Sequence, residues 1–183
     1  MKAKLSGVTL ELERGDITRQ DEFDAVVNAA NAELRTGGGV AGAIHRAAGR
    51  GLEEECRAYA PIEPGQCVLT GGHDLPNPHV IHCLGPVYGR DEPADELLAS
   101  CYREALRVAE ARGLAAVAFP ALSTGAFGYP MDEAAEVALR AIAETAPSLR
   151  SLRRVRFVLW GEDALSAHER ALEALLEEGA PGA

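Results

Sequence analysis

Two short stretches, rich in asparagine, glycine and small residues, hold the residues with chemical potential. In the first, the apolar run Ala25-Val26-Val27 leads into Asn28 and Asn31, and three consecutive glycines follow at Gly37 to Gly39. An asparagine side chain donates and accepts hydrogen bonds but cannot serve as a base at neutral pH. Adjacent glycines cost backbone entropy, so such a cluster points to unusual φ/ψ or to the close approach of another group. A helical pattern comes next, Val40, Ile44, Ala47 and Ala48, stopped by Gly49. Strand, polar loop, glycine turn and helix in that order place backbone N–H groups at a helix N-terminus, where they can face an anion. The asparagines fall at the carboxyl end of the strand, where open α/β sheets bind ligands.

Gly37, Gly39 and Gly42 satisfy G-x-G-x-x-G, but the dinucleotide reading lacks its context. Eight residues separate Asn28 from Gly37, and no acidic residue ends a second strand about 20 residues on. No Gly-Lys-Ser/Thr occurs, which excludes a P-loop.

The second stretch is Pro120 to Pro130, reached from the apolar run Leu114 to Phe119. Ser123 and Gly125 can offer donors to a phosphate and Phe127 a face to a sugar; the alternative is a tight connection with Phe127 in the core. Two such loops at neighbouring strand ends would clamp a diphosphate from both sides. His45 and His82 read as packing or hydrogen-bonding residues, since no Ser-His-Asp or Cys-His arrangement is suggested by spacing. Cys56, Cys67, Cys83 and Cys101 show no C-x-x-C rhythm, so reduced, mostly buried thiols are expected and no metal site.

The elements that must position these loops alternate. Val8, Leu10 and Leu12 alternate with Thr9, Glu11 and Glu13, the pattern of a strand with one wet face. Asp16 or Thr18 can cap a short helix after it. Leu52, Cys56 and Tyr59 fall at helical spacing before Pro61, and strands are expected over 66–70 and 79–84. Pro93 can open a long helix carrying Leu97, Leu98, Cys101, Tyr102, Ala105 and Leu106 on one face. A helix over 132–145, a strand over 155–160 and a helix opened by Asp163 complete the chain; 179–183 reads as a frayed tail. Strands alternating with helices predict α/β layers, helices on both faces of a largely parallel sheet, in one domain over 1–183.

Composition is that of an ordinary globular protein, 47% hydrophobic and 25% charged over 183 residues. No apolar run approaches 18 residues and the N-terminus has no apolar leader, so a cytoplasmic protein is expected, without membrane partners. The formal net charge of −10 argues against nonspecific nucleic-acid binding, which rests on Lys/Arg contacts. A monomer is expected.

The chain resembles the macrodomain family over nearly its whole length. The matching pieces are Gly15-Asp16-Ile17-Thr18, Val27-Asn28-Ala29-Ala30-Asn31, Gly37-Gly38-Gly39-Val40, Val80-Ile81-His82, Gly85-Pro86, and Pro120 through Gly128. The resemblance implies a three-layer α/β/α domain with a mixed, largely parallel central sheet that binds ADP-ribose as ligand or product, with no further cofactor. Many such domains hydrolyse ADP-ribose from proteins, or act on its 1″-phosphate or O-acetyl derivatives; a noncatalytic reader is the competing expectation. Carried over by position, Asp16 would accept a hydrogen bond from the adenine amino group and Ile17 would line the adenine pocket. Trp160 would either stack on adenine or pack in the core. Asn31 would bind the distal ribose and act in catalysis, while Asn28 would hold the loop beside it. Gly38, Gly39, Val40 and Ala41, with Ser123, Thr124, Gly125, Ala126 and Phe127, would surround the diphosphate and distal ribose. One departure stands out: MacroD-type hydrolases carry Asp after Gly-Gly-Gly-Val, where this chain has Ala41. Viral macrodomains similar to it in Gly-Gly-Gly-Val-Ala-Gly also lack the acid and have His before the glycines, where Thr36 stands here.

Overall fold

A computed structural model describes residues 1–179; of the expected frayed tail, residues 180–183 lie outside the described residues. Within that span seven strands form one sheet: β1 (Lys2–Leu5), β2 (Val8–Arg14), β3 (Ala25–Ala29), β4 (Cys67–Gly71), β5 (His79–Cys83), β6 (Ala116–Phe119) and β7 (Arg154–Leu159). Five α-helices accompany them: α1 (Gly39–Ala48), α2 (Arg50–Cys56), α3 (Ala94–Ala111), α4 (Met131–Thr145) and α5 (Glu162–Glu177). The strand order is β1-β2-β7-β6-β3-β5-β4. The five inner strands run parallel, and β1 and β4 close the two edges antiparallel. The fold is therefore the expected α/β sandwich with a mixed, mostly parallel sheet.

Alternation along each strand divides the interior in two. Val27, Ile81, Val117, Phe119, Val155 and Phe157 face α3, α4 and α5. Val26, Val80, Ala118 and Val158 face the other way, toward α1, α2 and the connection carrying Ile17 and Phe23. The long α3 starts directly after Pro93, as the sequence pattern requires, and buries Leu98, Cys101, Tyr102, Ala105 and Leu106; Leu97 is only half-buried. All four cysteines are free thiols, three of them buried.

Three local expectations are corrected. Strand β1 has no counterpart in the sequence pattern: Lys-Ala-Lys-Leu is barely apolar, and lysines of this kind blunt an exposed sheet edge. Helix α2 ends at Cys56, leaving Tyr59 in a turn with an exposed ring. No helix follows β2; Asp16 instead closes a turn, accepting from the Thr18 N–H (2.9 Å) and Thr18 Oγ1 (2.7 Å).

The wet face expected on β2 is the fourth correction, and the most consequential. Glu11 is 3% exposed. Its carboxylate accepts from Arg154 Nε (2.9 Å) and Arg156 Nε (2.7 Å), and both guanidiniums lie over the Phe23 ring. Arg156 also donates to the Gln20 amide oxygen at 3.0 Å, so the connection after β2 is bound to the sheet. Parallel register places Glu11 opposite Arg156, which is why a charge on this face could be buried at all. Burial alone would raise the Glu11 pKa, but hydrogen bonds and charge from Arg154 and Arg156 prevail and hold it at about 2.

Because the folded-state pKa lies below the ordinary 4.5, this stabilisation is complete above the ordinary value and is lost as pH falls toward 2. Removing one partner of a buried ion pair typically costs roughly 3–5 kcal/mol. Glu11→Gln should therefore lower denaturant-measured stability at pH 7 by about that much and flatten the acid limb of the stability profile between about pH 4.5 and 2. An unchanged acid limb would show that Glu11 is not the group responsible.

Candidate functional site

The five parallel strands all end at one edge of the sheet, and the residues singled out by sequence gather there. Across that edge come the Asp16 turn after β2, Trp160 after β7, the 120–130 loop after β6, the 30–38 loop after β3, and Leu84-Gly85-Pro86 after β5. Successive strands stand about 4.8 Å apart, so three steps from β2 to β3 span roughly 14 Å. The site is a row rather than a hole.

At the centre of the row, backbone donors lack acceptors. Helix α1 starts after Gly38 with no side-chain cap and no acid in its first turn. The other four described α-helices each carry acid there: Glu53 in α2, Asp95 and Glu96 in α3, Asp132 and Glu133 in α4, Glu162 and Asp163 in α5. Among the described residues nothing accepts from the N–H groups of Gly38, Gly39, Val40 or Ala41. The same holds for the amides of Ser123 through Phe127 in the neighbouring loop. Gly38, Gly39, Gly125 and Ala126 are exposed, so these donors face solvent. With the partial positive end of the α1 dipole added, the pair of loops forms a cradle for an anion.

Close packing holds the cradle open. A Cβ on Gly42 would stand 2.3 Å from the Gly37 carbonyl oxygen, so only glycine lets the loop fold back onto α1. Gly39 has φ +55°, a left-handed conformation that admits glycine readily. On the other loop Ser123 has φ +64°, and its hydroxyl donates to the Pro86 carbonyl at 2.8 Å. Thr124 likewise donates to the Ala121 carbonyl at 2.8 Å. Both hydroxyl protons are thus taken up by the main chain, and the loop's outward donors are its amides. Tyr88 N–H donates to the Phe127 carbonyl (2.8 Å), tying the 85–91 segment to the same loop. Phe127 is half-buried against the α1 side of the interior, neither wholly in the core nor wholly free of it.

The loop-holding part expected of Asn28 falls to Asn31 instead. Asn28 is fully buried within β3, where its Nδ2 donates to His82 Nδ1 at 3.1 Å. His82 Nε2–H then faces Thr70 Oγ1 at 2.9 Å, and that hydroxyl donates to the Gly71 carbonyl. Burial, then the charge of nearby His45, pushes the His82 pKa down to about 3, so it is a neutral structural residue. Asn31, not Asn28, braces the loop: its Nδ2 donates to the Arg35 carbonyl (2.8 Å) and its Oδ1 accepts from the Arg35 N–H (3.0 Å). The Asn31 amide still faces the glycines, since a Cβ on Gly37 would lie 3.4 Å from Nδ2. One N–H and one lone pair remain for another group.

At the far end of the row, Asp16 is ionised, held below the usual carboxylate range by the Thr18 hydroxyl and then the Thr18 N–H. Its side chain is 45% exposed, with Oδ2 turned toward Arg19 at 3.9 Å. Ile17 packs into the interior and Val40 lies against the same cluster; Ala41 is buried. Trp160 is 88% exposed, which removes the core alternative for this ring. It leaves β7 where Gly15 N–H donates to the Leu159 carbonyl (3.1 Å), so ring and Asp16 depart from adjacent strand ends.

The Macro domain model matches residues 27–138, a span that includes both glycine loops. The chain belongs to the Macro domain family. A Macro domain-containing protein of Mesorhizobium japonicum is 45% identical over 167 residues, 91% of this chain and 94% of the relative. An uncharacterized protein of Pyrobaculum aerophilum is 47% identical over 168 residues, covering 90% and 91%. Among solved structures, the Oceanobacillus iheyensis macrodomain with ADP superposes with a TM-score of 0.92 at 37% identity, over 97% of both chains. The Trypanosoma brucei macrodomain in complex with ADP-ribose gives 0.83 at 37% identity, over 89% of this chain and 68% of that one.

Gly85 is a supporting residue to which the sequence assigns no role beyond its place in the family-like piece Gly85-Pro86. A Cβ there would stand 2.1 Å from Ser123 Oγ and 3.3 Å from Ser123 Cβ. Gly85→Ala should therefore cost about 1–3 kcal/mol, the range for overpacking. Adding Ser123→Ala removes the clashing oxygen and should restore part of that loss, a coupling of about 0.5–3 kcal/mol in a double-mutant cycle of thermal or denaturant unfolding. Strict additivity would mean the two side chains do not meet.

Proposed function

We propose that this macrodomain binds ADP-ribose along the strand-end row and hydrolyses mono-ADP-ribose esters from protein carboxylates. The observation that carries the reading is the double row of acceptorless amides on two loops that follow neighbouring strands, with an exposed indole after the next strand and an asparagine on one of the loops. Solved relatives with ADP and ADP-ribose support the ligand class. In this reading adenine lies at the β2–β7 end, its amino group donating to Asp16 and its face on Trp160. The diphosphate takes the amides of Gly38–Ala41 and Ser123–Phe127, and the distal ribose reaches Asn31.

Hydrolysis adds water across the ester: the C1″–O bond breaks, the protein leaves as a carboxylate, and water supplies the new C1″ hydroxyl. No acid occupies the first turn of α1, so the base must come from elsewhere. A phosphate oxygen of the ligand, fixed by the amide cradle, takes the water proton, while Asn31 orients the ribose and the water. The remaining N–H and lone pair of Asn31 serve the ribose and the water separately, and positioning of this kind lowers the barrier far more than it strengthens binding. The same lack of an acid favours the second reading, a protein that binds ADP-ribose without turnover.

Three outcomes are expected. Nothing lies within 4 Å of the place a Cβ on Gly125 would take. Gly125→Val should thus fold normally while losing ADP-ribose affinity by at least ~10-fold, about 1.4 kcal/mol, in calorimetry; a folded variant of unchanged affinity would remove the loop from the diphosphate site. Emission from Trp160, the single tryptophan, should change on ADP-ribose addition, and Trp160→Ala should cost ~1–3 kcal/mol of binding. Neither effect would be seen if the ring points away from the ligand. Asn31→Ala should keep affinity within about tenfold and lose ~10² or more in hydrolysis of a glutamate-linked mono-ADP-ribose substrate. A parent protein that binds the free ligand and turns over no ester would leave the second reading standing.

A further inference from the structure

A cleft of about 420 Å³ borders the Asn31–Gly39 loop. It is lined by Glu33, Leu34, Arg35, Glu53, Arg57 and Ala60, and so lies between that loop and the end of α2. Its link to the ligand row is direct. Both side-chain bonds of Asn31 go to the Arg35 main chain, so the Arg35 side chain begins one hydrogen bond from the asparagine assigned to the distal ribose and lines the cleft.

The charge distribution there differs from the rest of the chain. Neither Arg35 nor Arg57 has a carboxylate partner among the described residues, and both are exposed. Over residues 31–60 four arginines, Arg35, Arg46, Arg50 and Arg57, balance four glutamates, Glu33, Glu53, Glu54 and Glu55. Glu55 is already taken up by the Gly71 N–H and His73. On the other flank of the site, residues 88–96 set Arg90 alone against Asp91, Glu92, Asp95 and Glu96. In a chain of net charge −10, an acidic polypeptide is repelled along that second flank and not along the first.

We propose that this cleft seats the polypeptide carrying the ADP-ribose, and that Arg35 and Arg57 favour acidic sequence around the modified residue. The inference rests on the ligand placement proposed above. Glu33 and Glu53 line the same cleft, so its formal charge is balanced and preference is set by where the two guanidiniums meet carboxylates of the bound chain. Exposed pairs of this kind contribute little each and are screened by salt.

The test uses two mono-ADP-ribosylated peptides, amide-linked so that neither is turned over, one with Asp/Glu flanks and one with Lys flanks. Their affinities are measured beside free ADP-ribose for the parent, Arg57→Glu, and the Arg35→Glu/Arg57→Glu double variant. The parent should bind the acidic peptide about fivefold or more tightly than the lysine peptide at low salt. The double variant should lose or reverse that preference, and Arg57→Glu should bind free ADP-ribose as the parent does. Equal affinities for the two peptides, or a preference the variants do not change, would overturn the assignment of the cleft. Failure of the parent to bind free ADP-ribose would instead overturn the ligand placement on which it rests.

Discussion

The first amides of an α-helix must find acceptors outside it, and at α1 the described residues supply none. Most features of the site follow from this one deficit. Every other described α-helix places an acid in its first turn, where it answers the exposed N–H groups and the dipole. At α1 the corresponding positions are Gly39, Val40 and Ala41, so the positive end stays unanswered. Glycine at 37–39 keeps side chains out of the way, and Gly42 lets the loop lie against the helix. At the other end the dipole is treated conventionally, with Arg46 in the last turn and Gly49 N–H returning to the His45 carbonyl.

The sheet turns this local feature into a site. Because β6 and β3 are parallel neighbours, the loop of Ser123–Phe127 and the loop leading into α1 emerge from adjacent strand ends. Buried polar groups fix the strands on either hand. Glu11 with Arg154 and Arg156 locks β2 to β7 and holds down the connection carrying Asp16. Asn28, His82 and Thr70 join β3, β5 and β4 by side-chain bonds beneath the Asn31 loop. Charge is therefore concentrated in the scaffold and at Asp16, while the centre of the strand-end row presents neutral amide donors.

Much of this is legible in the sequence because it depends on local signals. Apolar runs, Gly49, Pro93 and the two glycine loops mark the elements and their order, and a largely parallel sheet follows from their alternation. What is not legible depends on partners distant in the chain. Glu11 reads as solvent-facing until Arg154 and Arg156 arrive from β7, more than 140 residues later. Asn28 and Asn31 are three residues apart and of one type; only the register Asn28↔His82 sends the first into the sheet and leaves the second to brace Arg35. Ser123 carries two possible donors in sequence, and only the structure shows that Pro86 takes the hydroxyl and leaves the amide. Trp160 cannot be placed by pattern, and its exposure is a tertiary fact.

In the proposed complex, backbone amides of two loops, rather than basic side chains, hold the anion. Amide-resolved NMR of the ¹⁵N-labelled protein during titration with ADP-ribose addresses it most directly. The largest shifts should fall on Gly38 to Ala41 and on Thr124 to Phe127, moving in the downfield sense of new hydrogen bonds, with both groups saturating together. Saturable binding that leaves those amides in place, with the shifts gathered elsewhere, would contradict it.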